Sequence, residues 1–264
     1  MPVDSAGNLA EYDLLEVLHA KEGIICAVGA GGKKTTLYAL AKRHPGRIGV
    51  TSTVLLPPFP RTLVAKRVIA DDPTLLPQVV AAARSSPIVA FARHCEKPGR
   101  IAGLHPDRLL AIQAMAGFDA LLVKADGARM RSIKAPADYE PVIPEGTRTV
   151  LALISAATLG LPLSEQIAHR VEHISAVTGA RRGQPLRPEH LARLLASDRG
   201  ALKGVGEATV IPILNAVDDE PRREQAVETA QRALEMTGRF DQVVLAAMHQ
   251  ANPLVQIVRR CVSR

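Results

Sequence analysis

The fold predicted for this chain is decided by the segment Ile24-Ile25-Cys26-Ala27-Val28-Gly29-Ala30-Gly31-Gly32-Lys33-Lys34-Thr35-Thr36-Leu37. It opens with an apolar run of strand length, passes through a glycine-rich turn, and then enters a pair of lysines and a pair of threonines. Leu37, Leu40 and Ala41 follow at helical spacing. A strand, a glycine turn and a cationic helix start are typical of a phosphate-binding loop. Glycine lets the backbone approach an anion, and the free N–H groups at the helix start point at it.

The lysine register of this loop can be set in two ways against the pattern G-x-x-x-x-G-K-[ST]. If Lys33 is the phosphate lysine, Gly32 precedes it correctly, but Lys34 occupies the Ser/Thr position. If Lys34 is the phosphate lysine, Thr35 follows correctly, but Lys33 replaces the glycine. We prefer Lys33, because the glycines then all lie in the turn, and Thr35 or Thr36 would supply a hydroxyl to Mg²⁺. The alternative is a glycine-rich turn whose lysines are merely solvated. The predicted phosphate-binding residues are Gly29, Ala30, Gly31, Gly32, Lys33, Lys34, Thr35 and Thr36.

A second buried strand is predicted to carry a carboxylate for a metal ion. The apolar run 118–123 leads into Lys124-Ala125-Asp126-Gly127. P-loop enzymes hold Mg²⁺ with an Asp at the end of such a strand, so Thr35 and Asp126 are the predicted metal residues. An Asp at the end of a strand is also common as a turn former, which is the alternative.

The irregular segment 131–144 follows that strand directly. It contains three prolines and the charged residues Lys134, Asp138 and Glu140. Long irregular segments beside a catalytic strand often carry function, so we predict Lys134 and Glu140 near the γ-phosphate or a second substrate. The alternative is a tethered loop that covers the sheet. The predicted catalytic residues are Lys33, Asp126, Lys134 and Glu140.

The sequence Asn215-Ala216-Val217-Asp218 follows a later apolar strand. An N-x-x-D pattern at a strand end resembles the base-reading motif of GTPases, so Asn215 and Asp218 are predicted to bind a purine base. Ala216 stands where those proteins carry Lys. The alternative is a helix N-cap by Asp218 or Asp219 ahead of Pro221.

Composition limits the classes of function. The chain has 264 residues, of which 47% are hydrophobic, without the run of about 20 apolar residues that a membrane span needs. Its polar start and three widely spaced cysteines favour a cytoplasmic protein without disulfides. The net charge of +7 suits phosphate ligands, while 3% aromatic residues leave little surface for stacking bases, so nucleic acid is not an expected partner.

Alternating short apolar strands and helical patterns predict the fold class. We expect one α/β domain over residues 1–264, a P-loop-type fold with a mainly parallel sheet and helices on both faces. A helix-rich insertion is expected at about residues 163–206, capping the edge of the sheet where ligands bind. Residues 252–260 are predicted to form a terminal helix.

Several of these motifs together resemble the YqeC family. They are Val28-Gly29-Ala30-Gly31-Gly32-Lys33, Thr51-Ser52-Thr53, Lys124-Ala125-Asp126-Gly127-Ala128-Arg129, Lys134-Ala135-Pro136 and Glu140-Pro141-Val142-Ile143-Pro144. The resemblance implies a nucleotide-binding P-loop fold and an accessory role for selenium-dependent molybdenum hydroxylases, in which a selenium-containing cofactor is matured. Two positions depart from the family's pattern: many members carry Glu where this chain has Lys124, and Thr or Ser where it has Lys34.

The function expected from the residues and the resemblance is that of a nucleotide-binding accessory protein. It would bind ATP or GTP with Mg²⁺, and hydrolyse the nucleotide or be switched by it. Its expected partners are a molybdopterin-type cofactor and a hydroxylase apoprotein. The alternative is a non-catalytic carrier or docking protein that binds an anionic pterin cofactor through the glycine loop.

Overall fold

A computed structural model describes residues 12–260 of the chain. The two ends of the predicted domain, together with Cys261, lie outside the described residues. The strands are β1 Gly23–Gly29, β2 Ile48–Ser52, β3 Lys66–Ile69, β4 Ile88–Ala92, β5 Ala120–Lys124, β6 Ile133–Lys134, β7 Thr147–Ser155, β8 Ala168–His169, β9 Thr209–Asn215, β10 Gln242–Ala246 and β11 Leu254–Arg259. The helices are α1 Leu14–Val17, α2 Lys33–Arg43, α3 Leu75–Ala83, α4 Leu109–Ala116, α5 Val171–Thr178, α6 Pro188–Ala196 and α7 Glu220–Met236.

Nine of these strands form one sheet in the order β11-β10-β9-β7-β1-β5-β2-β4-β3. All neighbours are parallel except β10 and β11, which are antiparallel. Strands β6 and β8 form a separate parallel pair. The predicted α/β class with a mainly parallel sheet is confirmed. The strand before the glycine loop lies in the middle, between β5 and β7.

The central strand β1 is buried on both faces, which is why its sequence is an uninterrupted apolar run. Ile24, Cys26 and Val28 point into one hydrophobic cluster, which also contains the buried sides of α3 to α7. Ile25 and Ala27 point into a second cluster on the opposite face, with the buried sides of α1 and α2. This alternation along one strand places helices on both faces of the sheet, as predicted.

The C-terminal prediction of a helix over residues 252–260 is wrong. Leu254–Arg259 forms β11, which pairs antiparallel with β10 through Val243 and Val258, among others. The apolar residues of this segment fit either period. Val255, Ile257 and Val258 are β-branched, however, and such residues lose side-chain freedom in a helix but pack well along a strand.

The segment predicted as a helix-rich insertion contains α5 and α6. Leu194 of α6, with Gly200 and Ala201 just after it, lines a small cavity together with Gly29 and Asp126. The cavity measures about 20 Å³, which is room for a single water molecule. The segment therefore packs against the glycine loop instead of standing apart from it.

Candidate phosphate-binding site

The turn between β1 and α2 depends on glycine at three positions. Gly29, Gly31 and Gly32 have φ angles of +86°, +80° and +133°, which side chains disfavour. There is also no room for side chains. A Cβ atom on Gly29 would lie 2.2 Å from the carbonyl oxygen of Leu153, and one on Gly31 would lie 2.6 Å from the backbone nitrogen of Ser155. The loop is therefore pressed against the end of β7, in a backbone shape that other residues would strain.

Lys33 is the first residue of α2 and its side chain turns back over the glycine loop. The side chain is 6% exposed, and its Nζ donates to the carbonyl oxygen of Gly29 and lies 2.9 Å from Oδ1 of Asp126. Lys34 is only partly buried, and no described residue forms a hydrogen bond or ion pair with its side chain. Of the two lysines, Lys33 is therefore the one whose side chain lies along the glycine loop.

The two threonines of the motif differ in their surroundings. Thr35 is exposed on the first turn of α2, whereas Thr36 is buried and its hydroxyl donates to the carbonyl oxygen of Gly32 at 3.2 Å. The Thr36 hydroxyl is therefore held by the helix backbone, and Thr35 has the more accessible one.

Asp126 is buried beside the loop, two residues after the end of β5. Its Oδ2 accepts from the backbone nitrogen of Gly29 at 2.9 Å and lies 2.9 Å from Nζ of Lys134. Burial alone would raise the pKa of this carboxyl group, but Lys33 and Lys134 outweigh burial and hold the pKa below its usual range. Oδ1 faces Lys33 without a well-directed hydrogen bond. The carboxylate is thus charged, with one oxygen incompletely satisfied.

Lys134 joins two carboxylates in the interior. Its Nζ lies 2.9 Å from Asp126 and 2.8 Å from Oε2 of Glu140, and it donates to the carbonyl oxygen of Gly127 at 2.7 Å. Arg170 donates to the same oxygen of Glu140 at 2.7 Å. The chain of ion pairs that runs from the glycine loop to the helical segment consists of Lys33, Asp126, Lys134, Glu140 and Arg170. The structure therefore brings together all four residues predicted as catalytic.

Arg170 was missed in the sequence. It follows β8, which pairs with β6 so that His169 lies opposite Lys134, and this pairing delivers the arginine to Glu140. Strands of two residues leave no periodic signal, and no motif marks the position. The sequence shows only a charged residue that follows a histidine and precedes a helix, and this does not indicate a contact with Glu140.

Asn215 also lies at the glycine loop, and both polar atoms of its side-chain amide form hydrogen bonds to backbone groups. Its Nδ2 donates to the carbonyl oxygen of Gly31 at 2.7 Å, and its Oδ1 accepts from the backbone nitrogen of Met248 at 3.0 Å. The amide therefore braces the loop against the segment that follows β10. Its predicted role in binding a base would require these bonds to be exchanged.

Asp218 lies at the surface near the start of α7. It forms an ion pair with Arg222 at 3.4 Å, and its Oδ1 lies 3.8 Å from Nδ1 of His249. The helix cap is provided by Asp219, whose side chain accepts from the backbone nitrogen of Arg222 at 2.9 Å. The capping role considered for either residue thus falls to Asp219, and base binding by Asp218 stays a prediction.

Lys124 adds another cation beneath the loop. Its side chain is nearly buried and donates to the carbonyl oxygen of Leu55 at 3.3 Å. Burial, followed by the positive charge of Lys33 and then of Lys134 and Lys34, lowers the pKa of Lys124 from 10.5 to about 7. The side chain is therefore only partly charged near neutral pH.

We expect the free energy of unfolding to rise with pH between about 7 and 9, because above 9 the raised pKa of the buried Cys26 thiol acts in the opposite direction. In this window the unfolded chain keeps the Lys124 proton and the folded chain has released it, so rising pH favours folding. One group contributes a slope of at most about 1.4 kcal/mol per pH unit. Urea unfolding across the window would measure the slope. Lys124→Met should remove it, whereas Lys66→Met, at an exposed lysine, should keep it. An unchanged slope in Lys124→Met would contradict the assignment.

The fold and the site define a class of protein. It is an α/β protein in which an aspartate that follows a central strand contacts both a glycine loop and a buried lysine. A model of the YqeC protein family matches residues 25–172. The chain is 33% identical over 187 residues to the uncharacterized protein YqeC of Escherichia coli (strain K12), covering 69% of this chain and 71% of that protein. The chain belongs to the YqeC family. No solved structure matches it significantly.

Two kinds of feature are absent from the part of the chain that the structure describes. Within residues 12–260, no three His, Cys, Asp or Glu side chains are grouped so that they could hold a metal ion by themselves. Over the same residues, no helix has the length and apolar character to span a bilayer.

Proposed function

We propose that the protein binds the phosphates of a nucleoside triphosphate, ATP or GTP, at the glycine loop. The observation that carries the proposal is the position of Lys33. It begins α2 after a turn that contains three glycines with positive φ, and its ammonium group contacts the carbonyl oxygen of Gly29 and Asp126. An anion seated at the helix N-terminus would meet free N–H groups, the helix dipole and this lysine.

The charge balance around the loop supports a ligand with several negative charges. Six basic side chains act electrostatically on one another or on their neighbours in this region, against two carboxylates. The basic residues are Lys33, Lys34, Lys124, Arg129, Lys134 and Arg170; the acidic residues are Asp126 and Glu140. Lys124 is only partly charged near neutral pH, but the other five still outnumber the carboxylates. A triphosphate would compensate this excess positive charge, which otherwise costs energy near the protein interior.

The residues fit a magnesium ion only as part of a nucleotide complex. Oδ1 of Asp126 is buried without a well-directed hydrogen bond, and Thr35 has an exposed hydroxyl. Mg²⁺ characteristically takes one or two protein oxygens and completes its shell with phosphate oxygens and water. Asp126 and Thr35 would hold the ion, which would neutralise charge on the phosphates.

We expect Lys33→Ala to weaken nucleotide binding more than Lys34→Ala does. Lys33 is held over the loop, whereas the side chain of Lys34 has no hydrogen-bond or ion-pair partner among residues 12–260. A charge-assisted contact to phosphate is worth roughly 1.5–3 kcal/mol, so the dissociation constant should rise about tenfold or more. Isothermal titration calorimetry with Mg-ATP and Mg-GTP would measure it.

Two controls make this comparison decisive. Circular dichroism must show that Lys33→Ala is folded, because the substitution also leaves Asp126 with one cation fewer. Lys42→Ala, in the last turn of the same helix, serves as the matched lysine variant and should bind like wild type. If Lys34→Ala binds worse than Lys33→Ala, the lysine register is wrong by one residue. If wild type binds neither nucleotide, the proposal fails.

We extend the proposal to the role that the family resemblance implies. The bound nucleotide would serve maturation of the selenium- or molybdenum-containing cofactor of a hydroxylase, by hydrolysis or as a switch. Phosphate release from Mg-ATP or Mg-GTP, with and without a hydroxylase apoprotein, would test this extension. Release that is absent under both conditions would argue against hydrolysis.

One observation favours a second candidate, a non-catalytic carrier of an anionic pterin cofactor. Lys34 occupies the Ser/Thr position of the phosphate-loop pattern, and the Thr36 hydroxyl already donates to Gly32, which leaves fewer hydroxyl groups for a metal ion at the helix start. Competition separates the two candidates. A carrier would bind a pterin phosphate that nucleotide does not displace, whereas a nucleotide site would release it.

A further inference from the structure

A second cavity lies at the same edge of the sheet as the glycine loop, three strands away from it. It opens where β3 and β4 end, between the N-terminal ends of α3 and α4. Neighbouring strands are about 4.8 Å apart, so β4 lies roughly 14 Å from β1. The cavity measures about 280 Å³, close to the lower end of the range for small-molecule sites. Its position is the one where parallel α/β sheets bind their ligands.

The floor of this cavity is apolar. Four aliphatic side chains form it: Leu75, Leu76, Leu104 and Ile112. Leu75, Leu104 and Ile112 are 2%, 3% and 1% exposed and belong to the hydrophobic core, and Leu76 is partly buried against them. The floor therefore rests on packed side chains and offers a ligand an apolar surface.

The walls of the cavity are held by contacts between different elements. Oδ1 of Asp72, ahead of α3, lies 3.2 Å from Nη2 of Arg108, ahead of α4. Asp71 accepts from the backbone nitrogen of His94 at 3.2 Å, and its other carboxylate oxygen lies 2.9 Å from Nδ1 of the same histidine. The starts of both helices and the segment after β4 are thus linked to one another. A cavity formed in this way is largely pre-organised, which lowers the entropic cost of binding.

Arg93 supplies a positive charge at the wall of the cavity. It directly follows β4, and its Nε donates to the carbonyl oxygen of Gly103 at 3.2 Å, which orients the guanidinium group. Within residues 12–260, this guanidinium group forms no ion pair and donates to no other group. Both terminal nitrogens are therefore available, and together they match the two oxygens of a carboxylate.

The other charged side chains of the cavity have partners in the protein. Arg108 is paired with Asp72, and Nδ1 of His105 lies 3.3 Å from Oδ2 of Asp107. His105 and Asp107 are 71% and 78% exposed, so water screens their charges. A ligand lying on the apolar floor would therefore meet Arg93 as the cation that still lacks an acidic partner.

We propose that this cavity binds a small organic acid, whose apolar body contacts the leucine and isoleucine side chains and whose carboxylate accepts from both terminal nitrogens of Arg93. One planar guanidinium group matches one planar, singly charged carboxylate. The proposal goes beyond the nucleotide site and does not rest on it, because the cavity and the glycine loop share no residue.

The test uses benzoate as the probe and benzyl alcohol as its uncharged analogue. Both are titrated into the full chain while NMR follows the methyl resonances of Leu76, Leu104 and Ile112, with Leu153 at the glycine loop as the reference. We expect saturable shifts at the cavity methyl groups and a dissociation constant about tenfold lower for benzoate than for benzyl alcohol. Acetate, which has the carboxylate without the ring, should bind at least about tenfold more weakly than benzoate.

Two variants separate the charge from the floor. Arg93→Gln should remove the preference for benzoate and leave the binding of benzyl alcohol unchanged, whereas Leu76→Ala should weaken both ligands by a similar factor. Arg100→Gln, at an exposed arginine of the same connection that does not line the cavity, should bind like wild type. The proposal is refuted if benzoate gives no saturable shift at the cavity, or if Arg93→Gln keeps the preference for it.

A further arm distinguishes this cavity from the nucleotide site. Lys33→Ala, and wild type saturated with a non-hydrolysable triphosphate analogue and Mg²⁺, should both bind benzoate as before. If Lys33→Ala abolishes the response, or if benzoate shifts Leu153 alone, the anion lies at the glycine loop and the cavity site is wrong. A failure of nucleotide binding would appear in calorimetry and leave the benzoate titration unchanged, so each proposal can fail without the other.

Discussion

Replacing Lys134 with methionine is expected to lower the free energy of unfolding by about 3–5 kcal/mol. The side chain is 1% exposed and lies between Asp126 and Glu140, at 2.9 Å and 2.8 Å. Methionine has similar length but no charge. Two buried carboxylates would each lose a cation, and the cost of burying charge would no longer be compensated. Chemical denaturation at neutral pH would measure the change.

A surface cation with the same connectivity provides the control. Arg182 forms ion pairs with Glu165 and Glu172, and its side chain is 55% exposed. Exposed pairs contribute about 0–1 kcal/mol, so Arg182→Met should alter stability by no more than that. Equal effects of the two substitutions would mean that the interior ion pairs stabilise the protein no more than exposed pairs do, which would contradict the prediction.

Replacing Gly29 with alanine should be about as damaging as the loss of Lys134. The residue has φ +86°, and a Cβ atom would lie 2.2 Å from the carbonyl oxygen of Leu153. Left-handed backbone costs an alanine about 1–2 kcal/mol, and overpacking adds about 1–3 kcal/mol. The loop cannot retreat easily, because its partner is backbone in the centre of the sheet. We expect thermal unfolding to show the loss of stability, and calorimetry to show the loss of nucleotide binding.

Gly160→Ala isolates the steric part of this effect. Gly160 has nearly the same φ, +79°, but a Cβ atom there would have no neighbour within 4 Å. This variant should lose only the backbone term of about 1–2 kcal/mol and bind nucleotide like wild type. If Gly29→Ala is as stable as Gly160→Ala and binds nucleotide as tightly, the loop is not pressed against β7.

The sequence predicts the centre of this molecule well for a physical reason. In the stretch from Gly23 to Arg43, a doubly buried strand, a glycine turn and a helix each leave a strong local pattern. Asp126 is also predictable, because an apolar run ending in a carboxylate marks the ligand edge of a parallel sheet. These patterns depend on neighbours in the chain, and so they can be read without knowing the rest of the fold.

Other features depend on contacts between distant segments. The sequence shows Lys134 and Glu140 as charged residues in a long irregular segment. It does not show that the ammonium group of Lys134 contacts both Asp126 and Glu140. Arg170 reaches Glu140 only because two very short strands pair. Asn215 fits a base-reading pattern in the sequence, whereas in the structure its amide donates to the carbonyl oxygen of Gly31. In each case the local sequence gives the residue type and the tertiary structure gives its partner.

The central position of β1 has a consequence for the way the chain acquires its structure. The strands that flank β1 come from far downstream, with Gly23 opposite Ala120 and Ile24 opposite Thr147. Such pairings must overcome loop-closure entropy before they stabilise anything. A nascent chain that ends before residue 120 therefore carries the glycine motif without the platform that shapes it. The loop is synthesised before the strands that flank it, so its geometry arises together with most of the sheet.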